Sequence, residues 1–270
     1  MSDELDYRGF LRARIADDAA CDHLAHTLSR PRDWLGAMLA GSRALEPSLA
    51  PTVATALQLH EPARSTFLAL VALEASDSTL ARRRALATIR AAGARRSPTR
   101  CREEAAFALR WWFVSAILEL SRCEGFEPDP QWIARTLNPP VTSVEAARAL
   151  TVLVRFDLLD DEGRARPGAT FAPLIDQLGT VTEIARAARP FHRQTLSLAK
   201  QADDRFSGPE RHVGTSCMAM SDARYQALRE RVRSLIPDLL AELGEDEGGA
   251  RRVYGFSIAL FPMSAHTDEG

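Results

Sequence analysis

Cys21, His23 and His26, with Asp22 among them, are side chains of the types that hold a metal ion. At helical spacing these donors spread over more than one face, so they do not converge on a single ion. His192, within Phe191-His192-Arg193-Gln194, has the chemistry of a general base. No carboxylate or nucleophile stands in sequence where it would complete a relay with it. There is no phosphate-binding glycine loop of Walker type, no Gly-x-Gly-x-x-Gly and no Gly-x-Ser-x-Gly. The expectation is a chain that is not an enzyme and takes no metal or cofactor.

The chemistry that remains is that of the guanidinium. Basic residues are almost all arginine, Lys200 being the only lysine. The net charge of −2 hides an uneven distribution. Between Asp77 and Glu103 there is no acid, while Arg82, Arg83, Arg84, Arg90, Arg95, Arg96, Arg100 and Arg102 accumulate. Acids gather elsewhere, at Asp160-Asp161-Glu162 and Glu245-Asp246-Glu247. Local sign, more than total charge, decides whether a phosphate backbone is attracted.

Helices must position these groups. Cys21–Leu28 and Pro31–Ala40 read as two short helices joined at Ser29, a capping residue, with Gly41 as the stop. Two more, about Ser48–Leu59 and Glu61–Leu73, complete a bundle like the helical DNA-binding domains of phage repressors. In that comparison Pro31–Ala40 is the recognition helix. Arg30, Arg32 and Asp33 would face the bases, and Ser42 and Arg43 the phosphates. Ser78–Arg96 reads as an arginine-rich connector, whose Arg82, Arg83 and Arg84 are further candidate phosphate contacts.

A second module follows. An apolar helix over Glu104–Arg122, a short helix at Pro130–Leu137, and a stop at Asn138-Pro139-Pro140 lead to a helix from Thr142 to about Phe156. Thr142 and Glu145 make a capping box at its start. The Glu162-Gly163 step suits the tip of a short hairpin. That order is the order of a winged helix, and Arg148, Thr151 and Arg155 share the face its third helix would turn to DNA. Beyond it, a long amphipathic helix runs over Val181–Arg205. A β-α-β unit comes last, with alternating strands at Arg211–Met220 and Val253–Phe261.

The expected fold is therefore mainly α, with a C-terminal α/β unit. Its divisions are a helix-turn-helix domain (1–76), a connector (77–103), a winged helix (104–170) and a dimerisation or sensor domain (171–270). Hydrophobic content of 46% and charged content of 26% are those of a globular protein. Four scattered cysteines and the absence of a long apolar run point to the cytoplasm. The helix over Glu104–Arg122 is apolar nearly all round. Its second face predicts a homodimer contact through Trp111, Trp112 and Phe113, with Tyr254 and Phe256 of the last strand contributing.

Several segments occur in the order found in one bacterial family: Asp6-Tyr7-Arg8-x-Phe10-Leu11, Asn138-Pro139-Pro140, Leu158-Leu159, Phe191-His192-Arg193-Gln194, and Tyr254 leading to Leu260-Phe261-Pro262. The chain resembles the Fibrobacter-type major paralogous domain family. Gly41-Ser42-Arg43-Ala44-Leu45 stands where that family carries a more basic Gly-Lys-Arg-Asn-Leu. The resemblance implies a transcription regulator that binds double-stranded DNA, with any effector left open. The alternative is a non-catalytic protein-interaction adaptor, built on the same scaffold without DNA contact.

Overall fold

The computed structural model describes residues 4–15, 17–243 and 249–263, and the chain divides into two units, 1–192 and 193–270. The architecture is mainly helical. In the first unit the helices are α1 (Tyr7–Arg12), α2 (Asp18–Thr27), α3 (Arg32–Ala40), α4 (Ala50–Ala56), α5 (Ala63–Ala75), α6 (Thr79–Gly93), α7 (Pro98–Arg110), α8 (Trp112–Leu120), α9 (Pro130–Thr136), α10 (Ser143–Arg155) and α11 (Ala172–Ile175). α12 (Val181–Arg205) begins in the first unit and ends in the second, which also holds α13 (Asp222–Leu243). No helix among the described residues is long and apolar enough to cross a membrane.

Helix starts follow from capping chemistry. Asp6, Asp17, Ser78, Ser97, Asp129 and Thr142 each accept a first-turn backbone N–H with a side-chain oxygen. Pro98 and Pro130 occupy first-turn positions where a missing N–H costs nothing. At Thr142 the capping box is complete, Glu145 returning to the Thr142 N–H at 2.8 Å.

Segments expected as separate domains share one core. α10 packs on α5, α6, α7, α8 and α9, and nearly every residue from Ala146 to Arg155 is buried. The single helix expected over Glu104–Arg122 is two, because Trp111 adopts extended backbone (φ −111, ψ 123) and so ends α7 and starts α8. That break lets Trp111 stack on Phe113, at 5.9 Å between ring centroids and 18° between planes. The segment's second apolar face is covered largely from within: Phe113, Ile117 and Leu120 are all buried. After α10, the hairpin carries one antiparallel bridge, Leu159 to Ala165. Gly163 at its tip has φ +78, and a Cβ there would lie 2.4 Å from Pro128.

α6 and α10 approach closely at Gly93, where an added Cβ would meet the Arg155 carbonyl oxygen at 3.0 Å and its Cα at 3.1 Å. Both are backbone atoms of a buried helix and cannot swing aside. Gly93→Ala should therefore lower stability by about 1–3 kcal/mol, despite alanine's better helix propensity. Chemical denaturation measures it; an unchanged or raised midpoint would mean the two helices can part at little cost.

In the second unit, the expected β-α-β layout is not formed among the described residues. The stretches 211–220 and 250–262 flanking α13 carry no strand and no ladder. Alternation alone does not make a sheet when the alternating face finds nothing to cover it, and a lone pair of strands is marginal in water. Within this unit Arg252 pairs with Glu210 at 2.9 Å. Val213, Met218, Tyr254, Phe256 and Phe261 are exposed.

Candidate nucleic-acid interface

α3 is held from its inner side. Trp34, Leu35 and Met38 are buried, while Arg32, Asp33, Gly36 and Ala40 lie on the exposed face. Gly41, at φ +90, closes the helix, and the Ser42 N–H and hydroxyl both donate to the Ala37 carbonyl, at 3.1 and 2.9 Å. Residues 41–45 are then tied down by two successive side chains at the start of α1, Tyr7 and Arg8.

Asp6 caps α1 through the Gly9 N–H at 2.8 Å and accepts from Arg148 Nε of α10 with its other oxygen. The Tyr7 hydroxyl accepts from the Leu45 N–H at 2.8 Å. Burial, with the nearby charge of Glu74, pushes the Tyr7 phenol well above its ordinary pKa. Arg8 donates to the Met38 carbonyl at 2.8 Å, to the Arg43 carbonyl at 3.1 Å, and to the carboxylate of Glu74 on α5. Burial opposes the charge on Arg8, but its hydrogen bond and Coulombic attraction to Glu74 outweigh that and raise its pKa. Tyr7 and Arg8 thus fix the loop after α3, while Asp6 ties the start of α1 to α10, roles that the sequence did not assign. The signal available was a charged residue set between Tyr7 and Phe10 on an otherwise apolar face.

The arginines expected to meet DNA lie in different settings. Arg32 is exposed but pairs with two acids of α2, Asp18 and, at 3.0 Å, Asp22. Arg30 reaches Glu46 at 3.4 Å and lies over the Trp34 ring at 5.6 Å. Such exposed pairs are worth at most about 1 kcal/mol, so phosphate or a base edge competes with them at small cost. The Arg43 side chain is exposed and carries no ion pair among the described residues.

The connector is a different matter. Arg82 is buried, donates to the Ser76 carbonyl at 2.6 Å, and lies 3.8 Å from Asp129. Arg83 pairs with Glu162 at 3.4 Å, and Arg90 with Asp161 at 2.7 Å. Arg96 donates to Glu104, Arg100 to Glu4, and Arg102 lies 4.0 Å from Glu183. A run without acids in sequence is therefore largely neutralised in space, and the acidic hairpin tip supplies much of the counter-charge. Arg84 and Arg95 remain exposed, without ion pairs among the described residues.

On α10 the expected DNA face is mostly interior. Thr151 is fully buried, and Arg155 is buried with Nη1 on Glu104. Burial pushes the Arg155 guanidinium below its ordinary pKa, against the pull of Glu104. Arg148 is partly exposed and bound to Asp6. A duplex laid on the surface does not reach Arg82, Thr151 or Arg155, because the packing of α6 and α10 encloses them. Of the expected dimer contacts, Phe113 is likewise buried inside the first unit. Trp111 and Trp112 are half-buried beside it, and Tyr254 and Phe256 of the second unit are exposed.

A family model described as Domain of unknown function (DUF4423) matches residues 99–263, over half of the chain. Neither curated proteins nor solved structures give a match.

Proposed function

The chain belongs to the family described as Domain of unknown function (DUF4423), and on that premise we propose a cytoplasmic, DNA-binding transcription regulator that acts as a homodimer. The observation that carries the reading is the exposed outer face of α3, small and polar, on a helix whose far end is clamped by Arg8. In this reading α2 and α3 form the helix-turn-helix. Arg30, Arg32 and Asp33 read base edges, and Ser42 and Arg43 hold the phosphate backbone. α8, α9, α10 and the hairpin follow the order of a winged helix, and with α10 enclosed we assign that module a scaffold role. The resemblance to the Fibrobacter-type family supports the same reading. The exposed apolar side chains of the second unit, Tyr254 and Phe256 among them, suit a two-fold contact between copies.

Gly36 offers the sharpest test. A Cβ there meets nothing within 4 Å, so Gly36→Leu should leave the fold intact and strengthen α3 by roughly 1 kcal/mol. If α3 lies in a major groove, the same change blocks close approach and weakens a selected site by about 1–3 kcal/mol, roughly tenfold or more. Wild-type affinity should also fall steeply between two salt concentrations in a mobility-shift assay. Unaltered affinity of the Gly36→Leu variant would remove α3 from the interface.

A second reading has its own support. The internal neutralisation of the connector arginines favours a protein-interaction adaptor, which would show no shift on DNA at either salt concentration.

A further inference from the structure

A cavity of about 490 Å³ opens within the first unit between the second half of α7, the side of α10 that carries Arg148, and the start of α12. That volume lies in the range of small-molecule sites. Phe107 and Trp111 supply aromatic surface, and Leu5 and Leu178, both buried, close the apolar part. Trp111 is held in place by its stack on Phe113, so this wall is formed in advance.

The polar part of the lining is cationic. Arg102, Arg110, Arg148 and Arg186 face it, against the carboxylates of Glu103 and Glu183. Glu183 is committed elsewhere: it makes a capping box with Thr180, taking the Thr180 N–H at 3.1 Å and hydroxyl at 2.9 Å, and lies 4.0 Å from Arg102. Arg186 has no ion pair among the described residues. Arg148 gives only its Nε to Asp6, which leaves its terminal nitrogens as donors.

We infer that this cavity binds a small organic anion, an aromatic or short acyl body bearing a carboxylate or phosphate monoester. The body lies on Phe107 and Trp111, and the charged group meets Arg186 and Arg102 at the mouth. Guanidinium groups suit both headgroups, since each presents paired oxygens to a planar fork of donors. The site is distinct from the exposed face of α3 and stands whether or not α3 binds DNA.

Isothermal titration with the full chain tests it, using 1-naphthyl phosphate and 1-naphthoate as probes and 1-naphthol as the neutral control. We expect saturable binding at one site per chain for at least one anion, and the stronger arm identifies the preferred headgroup. The control should bind at least tenfold more weakly. The double substitution Arg102→Gln and Arg186→Gln, at two exposed positions, should weaken the anion tenfold or more without lowering the melting temperature of the free protein. Absence of saturable binding at millimolar probe, equal affinity for the neutral control, or an unaltered constant in the double variant would each overturn the assignment.

Discussion

Replacing Glu104 with alanine is expected to destabilise the first unit by about 3–5 kcal/mol, the usual cost of leaving a buried charge without its partner. In a unit of this size that is a fall in Tm of roughly 6–20 °C. Glu104 is fully buried and accepts from Arg96 with one oxygen and from Arg155 with the other. Arg96 also donates to the Arg155 carbonyl at 2.6 Å and to the Gly93 carbonyl at 2.7 Å, so one carboxylate organises the junction of α6, α7 and α10. Arg155→Ala should be costly for the same reason. Because the two share one network, the double variant should lose much less than the sum of the singles. Calorimetry on the four proteins decides it. If Arg155→Ala keeps full stability and instead weakens DNA binding, Arg155 is a surface contact and the network carries little.

That network shows where sequence reading stops. The capping box of Thr142 and Glu145, the stop at Pro139-Pro140 and the inward positions Ala147, Leu150 and Val154 were all legible, because each depends on neighbours within one or two helical turns. Arg155 was not. Its spacing put it on a polar face, but its partner Glu104 is 51 residues away, and only the assembled core brings the two together. The arginine run misled for the same reason. An acid-free segment reads as a basic surface until Glu162 and Asp161 fold back against Arg83 and Arg90. The break at Trp111 left no proline or glycine to announce it; the extended backbone there goes with the stack of Trp111 on Phe113. Alternation at Arg211–Met220 and Val253–Phe261 says nothing of whether a partner strand is present, and neither stretch forms a strand.

The clamp at Arg8 separates stability from function. Arg8→Met should destabilise by about 3–5 kcal/mol, because Glu74 would be left buried without its guanidinium. Their side chains are 2% and 4% exposed, so water gives little relief. The double variant Arg8→Met with Glu74→Met replaces the buried pair by apolar groups of similar length, and it should recover most of the loss. What it cannot recover are the bonds from Arg8 to the carbonyls of Met38 and Arg43, which fix the end of α3 and the loop that follows. If that loop holds the phosphate backbone, the double variant should fold at near wild-type stability yet bind DNA roughly tenfold or more weakly, from loss of a pre-positioned contact. Denaturation and mobility-shift measurements on the same preparations give both quantities. A double variant that regains stability and affinity together would make Arg8 a purely structural residue. One that regains neither would mean that the two carbonyls, left without donors, hold α1 and α3 together as strongly as the ion pair does.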